Sequence, residues 1–309
     1  MITFGNQTQH TPSMATINNI LIPTDFSETA TLAVAHGAKM AQLFNAKIFL
    51  LHSVETTLYT AGIGEPVMMP DIQDIYKEAT EQLNKASEAL KTEYAVAITP
   101  IIANGRPAAA IASAVKENNI DIIIMGTHGA SGFEELFMGS NAHKVVTIAP
   151  CPVITVRLNT KTIGFANIIL PIGNYLHSRQ KVNNAIELAK VYGSTVHLLG
   201  LLDTKDKEDE SKFDIKIETV ENALKHANIN YTKKIIHASN PAVEAMKFSE
   251  EINGDLILIM TEHESDLTGM FLGAAAKQIV NHSKIPVMSI RPEETMIDTF
   301  SPDGGTGTL

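Results

Sequence analysis

The chain has no tryptophan, one cysteine and few aromatic residues, 6% of its 309. A single thiol, Cys151, excludes an internal disulfide framework, which fits a reducing cytoplasm and leaves the fold to its apolar core. Cys151 sits between Pro150 and Pro152 at a strand entry, the setting of a packed, inert thiol rather than a nucleophile. Basic charge is also scarce: 24 lysines and arginines stand against 34 acids, for a net charge of −10. Residues 1–158 hold 9 basic and 14 acidic side chains, and residues 159–309 hold 15 and 20, so each half carries −5. Neither half offers the positive field of sequence-independent nucleic-acid binding, so no nucleic-acid partner is expected. No apolar run reaches the length of a membrane span, so none is expected there either. The polar start, residues 1–13, lacks the apolar core of a signal peptide. Residues 1–15 and the Gly/Thr-rich 293–309 read as flexible tails.

Catalytic signatures are missing too. There is no G-x-S-x-G, no P-loop G-x4-G-K-[ST], and no H-x3-H or C-x2-C pair. No catalytic residue and no metal ligand is therefore assigned, and the 11 histidines read as mostly solvated. The acidic run 203–214 lacks the glycine and terminal glutamate of an EF-hand and reads as a solvated loop.

What the chain does have is a repeat. Ile20-Leu21-Ile22-Pro23 matches Ile169-Leu170-Pro171 at an offset of 148 (171 − 23). Later the offset is 134: Asp121 to Met125 matches Asp255 to Ile259, and Pro152 to Val156 matches Pro286 to Ile290. One deletion after the second strand accounts for the difference, and a period near 140 means a duplicated domain. The two units are placed at 16–158 and 165–292. Each reads βαβαβαβαβ; in the first, strands are expected at 18–22, 47–54, 95–102, 120–125 and 152–156. Helices are expected from 28 to 44, from 72 to about 92, after Pro107, and from 140 to about 148. Apolar strands alternating with helices imply an α/β fold with a doubly wound parallel sheet. Ligands of such sheets bind beyond the carboxyl ends of the strands, where the strand order reverses.

The stretch 126–140 reads Gly-x2-Gly-x9-Gly-Ser directly after the apolar run Ile122 to Met125. A buried strand, a glycine-rich loop and a helix start are the parts of a backbone phosphate cradle: glycine admits a ligand to the main chain, and helix N–H groups face the anion. Met68 and Met69, in the loop after the second strand, read as gap fillers.

With Ile22-Pro-Thr-Asp-Phe-Ser27, Leu51-His-Ser-Val54, Gly105-Arg-Pro107 and Pro150-Cys-Pro-Val-Ile-Thr-Val156, this motif resembles the universal stress protein family in tandem form. The first half resembles its ATP-binding subclass. The resemblance implies a Rossmann-like, adenine nucleotide α-hydrolase-like fold with strand order 3-2-1-4-5 in each unit. It implies that Pro23, Thr24 and Asp25 lie against adenine and ribose, and that Val54 offers backbone groups to the adenine edge. Gly126 and Gly129 would line the phosphate path, with His128 close by and Met125 also counted among the nucleotide-binding residues. Gly139, Ser140 and Asn141 would hold the phosphates, Asn141 through its backbone. The ligand would be ATP, with ADP or AMP as alternatives and Mg²⁺ as a companion. Bound nucleotide would bias the loop 58–71. The last strands would pair as family protomers do, giving an intrachain pseudo-dimer and room for a homodimer. A slow ATPase and a nucleotide-independent scaffold are the alternative functions.

The second half departs from the pattern. Gly173 stands for Asp25, Met260 for Gly126, His263 for Gly129 and Ala274 for Ser140, while Glu262, Glu264 and Asp266 enter the loop. Side chains fill the phosphate space and carboxylates repel the ligand, so no ATP is expected there.

Overall fold

The computed structural model describes residues 17–55, 72–128, 138–173, 179–203, 207–261 and 272–292. The first repeat runs β1 (Asn19–Pro23), α1 (Glu28–Phe44), β2 (Lys47–Val54), α2 (Ile72–Tyr94), β3 (Ile98–Asn104), α3 (Pro107–Glu117), β4 (Ile122–Gly126), α4 (Ser140–Ile148) and β5 (Val153–Val156). The second repeats it: β6 (Asn167–Ile172), α5 (Val182–Tyr192), β7 (Thr195–Leu202), α6 (Lys207–His226), β8 (Tyr231–His237), α7 (Pro241–Glu251), β9 (Leu256–Met260), α8 (Ala274–His282) and β10 (Val287–Ile290).

Within each repeat the strands are parallel, in the order 3-2-1-4-5, and the two sets join edge to edge as one ten-stranded sheet, β3-β2-β1-β4-β5-β10-β9-β6-β7-β8. The join is antiparallel, with Val287 opposite Thr155, Met288 opposite Ile154 and Ser289 opposite Val153. Ile154 and Met288 are repeat equivalents (288 − 134 = 154), so a local two-fold axis passes through this central pair. Both strands are buried, and their otherwise bare edges satisfy each other's backbone groups.

Alternation along the strands assigns the two faces. Ile20, Ile22, Ile122, Ile124, Ile154 and Met288 point to the layer of α1, α2, α5 and α6. Leu21, Ile123, Met125, Val153 and Val287 point to the layer of α3, α4, α7 and α8. Both faces are apolar because both are covered, which is why the strands read as continuous Ile/Leu/Val runs. One device starts the sheet in each repeat: Asp121 Oδ2 accepts the N–H groups of Asn18 and Asn19 at 2.7 and 2.9 Å. Asp255 Oδ2 does the same for Ala166 and Asn167 at 2.9 and 2.8 Å. The outer edges resist pairing with other chains: β3 carries Pro100, and β8 carries Lys233 and Lys234, ion-paired to Glu221 and Glu251.

The run 203–214 is not a loop throughout, as the sequence suggested: α6 begins at Lys207. Glu208, Asp209 and Glu210 lie in its first turn, where acids complement the positive end of the helix dipole, so the acidity marks a helix start.

Candidate functional site

β1 and β4 are neighbours, with Leu21 opposite Ile123, and the order reverses beside them, so their carboxyl ends form the switch point of the first repeat. Continuing the register brings Pro23 level with Met125, and Asp25 level with the turn after Gly126.

The turn after β1 is closed from several sides. Thr24 N–H donates to Leu51 O at 2.8 Å. His52 Nδ1 lies 2.8 Å from Thr24 O; a carbonyl only accepts, so Nδ1 carries the proton. Phe26 N–H donates to Thr24 Oγ1 at 3.0 Å and Ser27 N–H to Asp25 Oδ1 at 3.1 Å. These bonds hold Phe26 at φ 62°, a left-handed conformation that a bulky residue rarely adopts. Its ring lies against His52, centroids 4.8 Å apart. Ser27 then caps α1, accepting from Ala30 N–H at 3.2 Å. With Ser27 in that role, Asp25 is exposed at the strand end.

Val54 is buried at the end of β2, and its carbonyl accepts Gly105 N–H at 3.0 Å. One lone pair of that carbonyl is thereby used. Gly105 sits at φ +97°, which explains a glycine there.

β4 ends at Gly126. A Cβ there would meet Thr29 Cγ2 at 2.9 Å and the Thr29 backbone carbon at 3.2 Å. The first turn of α1 therefore packs directly on the strand end, and this contact, rather than an unusual φ, requires glycine. Met125 is buried with its side chain in the α3/α4 layer, so it reaches the strand end only through its backbone. Thr127 N–H donates to Val156 O at 2.9 Å, and Thr127 O accepts Gly139 N–H at 2.8 Å, so the two stems of the glycine loop are bonded to each other. A Cβ on Gly139 would stand 3.1 Å from Thr127 O. His128 Nδ1 lies 2.9 Å from Thr127 Oγ1. α4 starts on Gly139 as N-cap, with no side-chain cap, and Ser140 and Asn141 are exposed on its first turn. First-turn N–H groups have no intrahelical acceptor, so this helix start presents donors outward.

Pro23, Thr24, Asp25, Val54, Met125, Gly126, His128, Gly139, Ser140 and Asn141 thus belong to strand ends and turns on the carboxyl-end side of the first repeat's strands. Gly129, the loop 58–71 with Met68 and Met69, and Glu262, His263, Glu264 and Asp266 lie outside the described residues. Phe26 and His52 were not singled out by the sequence; the His in Leu51-His-Ser-Val54 was visible, but a phenylalanine at positive φ has no sequence signature. Among the described residues no three His, Cys, Asp or Glu side chains gather as a metal site. His143 is half-buried in α4, with its pKa lowered by desolvation and by Lys277.

The equivalent place in the second repeat is built differently. Lys216 Nζ, from α6, donates to Gly173 O at 3.2 Å, so a cation reaches the position that Asp25 holds in the first. Aligning the left-handed C-caps Asn45 and Gly193 (193 − 45 = 148) shows that α5 starts at the equivalent of Val34 (182 − 148), six residues later than α1. α8 starts on Gly273 but offers Ala274 in place of Ser140.

Burial raises the Cys151 thiol to about 12, with Asp121 adding to the effect. A thiol held protonated is a poor nucleophile. Alkylation at pH 8 should run at least ~100-fold slower in the folded chain than in urea, read by mass spectrometry; equal rates would show the thiol to be open.

Known proteins carry the same architecture. The model of the universal stress protein family matches twice, over residues 16–157 and 164–291. A universal stress protein of Thermus aquaticus is 34% identical over 144 residues, covering 45% of this chain and 97% of its own. One of Methanocaldococcus jannaschii is 30% identical over 138 residues, covering 45% and 81%. Each match spans about the length of one repeat. The structure of a universal stress protein from Archaeoglobus fulgidus aligns at a TM-score of 0.69 and 19% identity, covering 89% of this chain and 98% of its own, a likeness of fold. No described helix is long and apolar enough to cross a membrane.

Proposed function

We propose that this chain, which belongs to the universal stress protein family through both of its repeats, binds one ATP in the first repeat and acts as a nucleotide-responsive regulator in the cytoplasm. The observation that carries this reading is the meeting, at one switch point, of an exposed Asp25 and an uncapped helix start at Gly139 and Ser140. A carboxylate accepts hydrogen bonds from both ribose hydroxyls, and the open N–H groups of α4 suit phosphate oxygens. The residues fit the group: the start of α4 at Gly139 has no side-chain cap over its N–H groups, and the exposed Ser140 adds a hydroxyl donor. Pro23 and Thr24 would flank the base, with Val54 contributing backbone groups. Mg²⁺ would ride on the phosphate oxygens, since no carboxylate cluster among the described residues offers to hold it. Lys216 over Gly173 and the missing serine support a second repeat that does not bind ATP in this mode.

Two measurements test the reading. Heat-denatured protein should release adenine nucleotide, identified by chromatography. Calorimetry on stripped protein should give one ATP per chain, with Asp25→Ala weakening affinity about 10-fold or more, the loss expected for a charged hydrogen-bond acceptor. No adenine nucleotide in either experiment would overturn the proposal, and two per chain would overturn the assignment to one repeat.

A further inference from the structure

The stem Met138–Gly139, just ahead of α4 in the first repeat, is bonded to a residue of the second. Met138 is buried immediately before Gly139, and its backbone N–H donates to Asn281 Oδ1, in α8, at 3.3 Å. Asn281 is itself anchored. Its carbonyl accepts from Arg157 Nη2, which also donates to Val280 O at 3.3 Å. Arg157 directly follows β5, so a residue at the end of one repeat's last strand grips the C-terminal turn of the other repeat's last helix. That turn presents carbonyls without intrahelical partners, which a guanidinium satisfies well.

The contact lies near the two-fold axis but does not obey it. His143 and Lys277 are repeat equivalents (277 − 134 = 143), and they lie near enough for Lys277 to act electrostatically on His143, as groups astride the axis would. Asn281 corresponds to Thr147 (281 − 134), which has no amide oxygen and instead donates its hydroxyl to His143 O at 2.9 Å. The equivalent of Met138 is Leu272. The asparagine therefore reaches from the second repeat to the first, toward the repeat that keeps Ser140 and Asp25, while its equivalent Thr147 bonds within its own helix.

We infer that Asn281 is a positioning residue for the site of the first repeat: it fixes the stem Met138–Gly139 and, through the bond from Gly139 N–H to Thr127 O, the start of α4. The second repeat then is more than a cover for the edge of β5; part of the scaffold that orients the anion-facing N–H groups comes from it. A ligand held by α4 and the Asn281 contact would strengthen one another, since coupling between sites is reciprocal. The link to nucleotide rests on the proposed function; the clasp itself does not.

The test uses the full chain, with Asn281→Ala, which deletes the acceptor, and Asn281→Asp, which restores one. Amide hydrogen exchange at Met138 in nucleotide-free protein should speed up about three- to tenfold in the alanine variant, the effect of losing one hydrogen bond, and return toward wild type with aspartate. Stripped Asn281→Ala should bind ATP a few-fold more weakly at an unchanged melting temperature. Unchanged exchange at Met138 in a folded alanine variant overturns the clasp. Faster exchange with unchanged ATP affinity overturns its positioning role. If wild type takes up no ATP while exchange still rises in the alanine variant, the clasp stands and the nucleotide reading falls.

Discussion

Replacing Lys181 with methionine should stabilise the protein by about 4 kcal/mol at pH 7, by about 2 at pH 9, and by little more than the constant packing difference above pH 10.5. Lys181 sits at the N-cap of α5 and is 6% exposed. In the first repeat the equivalent position (181 − 148) is Ala33, fully buried against the sheet. Burial lowers the Lys181 pKa to about 7. A folded-state pKa below the unfolded value means that the unfolded chain holds more protons between about pH 7 and 10.5. The Lys181 share of wild-type stability therefore rises with pH through that window, a share the methionine variant lacks while the other titrating groups are common to both. Urea unfolding at pH 7, 8, 9 and 10 measures the gap. A gap that stays constant with pH would show that the ammonium is solvated in the folded protein, and a variant less stable than wild type at pH 7 would show that it is paired.

The same position shows what a repeat alignment can and cannot reveal. The offsets place Lys181 opposite Ala33, but letters alone do not say that the lysine stays inside. α1 begins at Glu28 because Ser27 caps it and Thr29 packs on Gly126; α5 begins six residues later in register, and the lysine falls at its N-cap. The parallel halves and the role of Pro107 as an N1 residue were legible because they follow from apolar periodicity and local backbone chemistry, whereas the strand order came from the family resemblance. Boundaries shifted where a residue acted against type. α2 extends to Tyr94 and stops on Ala95 at φ 54°, a conformation that asparagine or glycine would have announced, so β3 starts at Ile98 rather than at 95. Ile120 is apolar and buried, yet it links α3 to β4, with its N–H on Val115 O, and the strand begins at Ile122.

At the candidate site the types of residue were legible and their reasons were not always. Gly126 reads as room for a phosphate, but its Cβ space is taken by Thr29, so close helix packing sets that glycine whatever binds nearby. Met125 reads as a lining residue, but its side chain belongs to the core. Contacts between sequence-distant residues, such as Asn281 on Met138 across 143 positions, leave no trace in a linear pattern. They arise only once β5 and β10 bring the repeats together.

The interface on the opposite face supplies the second large effect: the protein should lose about 3 kcal/mol on acidification from pH 7 to pH 4 through one histidine, and His36→Phe should abolish that share of the loss. His36 lies in α1, is 1% exposed, and stacks on Phe165, just before β6 at the start of the second repeat, centroids 5.4 Å apart and 21° from parallel. Phe165 in turn meets Tyr192 of α5 at 5.1 Å, so the ring stack ties the two repeats on this face. Neither ring nitrogen of His36 has a hydrogen-bond partner. Burial therefore lowers its pKa to about 4, against a smaller opposing pull from Asp255. The sign follows: the unfolded chain takes up the proton near pH 6.5 while the folded chain resists it to about 4, so stability is complete above 6.5 and declines as pH falls between the two. Many carboxylates titrate in the same range, and comparison with His36→Phe removes their shared contribution. Phenylalanine keeps the stack and deletes two unsatisfied polar atoms, so it should equal or exceed wild type even at pH 7.5, with the difference growing steadily below pH 6.5. Urea midpoints that fall in parallel for the two proteins from pH 7 to pH 4 would mean that His36 accepts its proton without disturbing the interface, and would remove this contact as the acid-labile joint between the repeats.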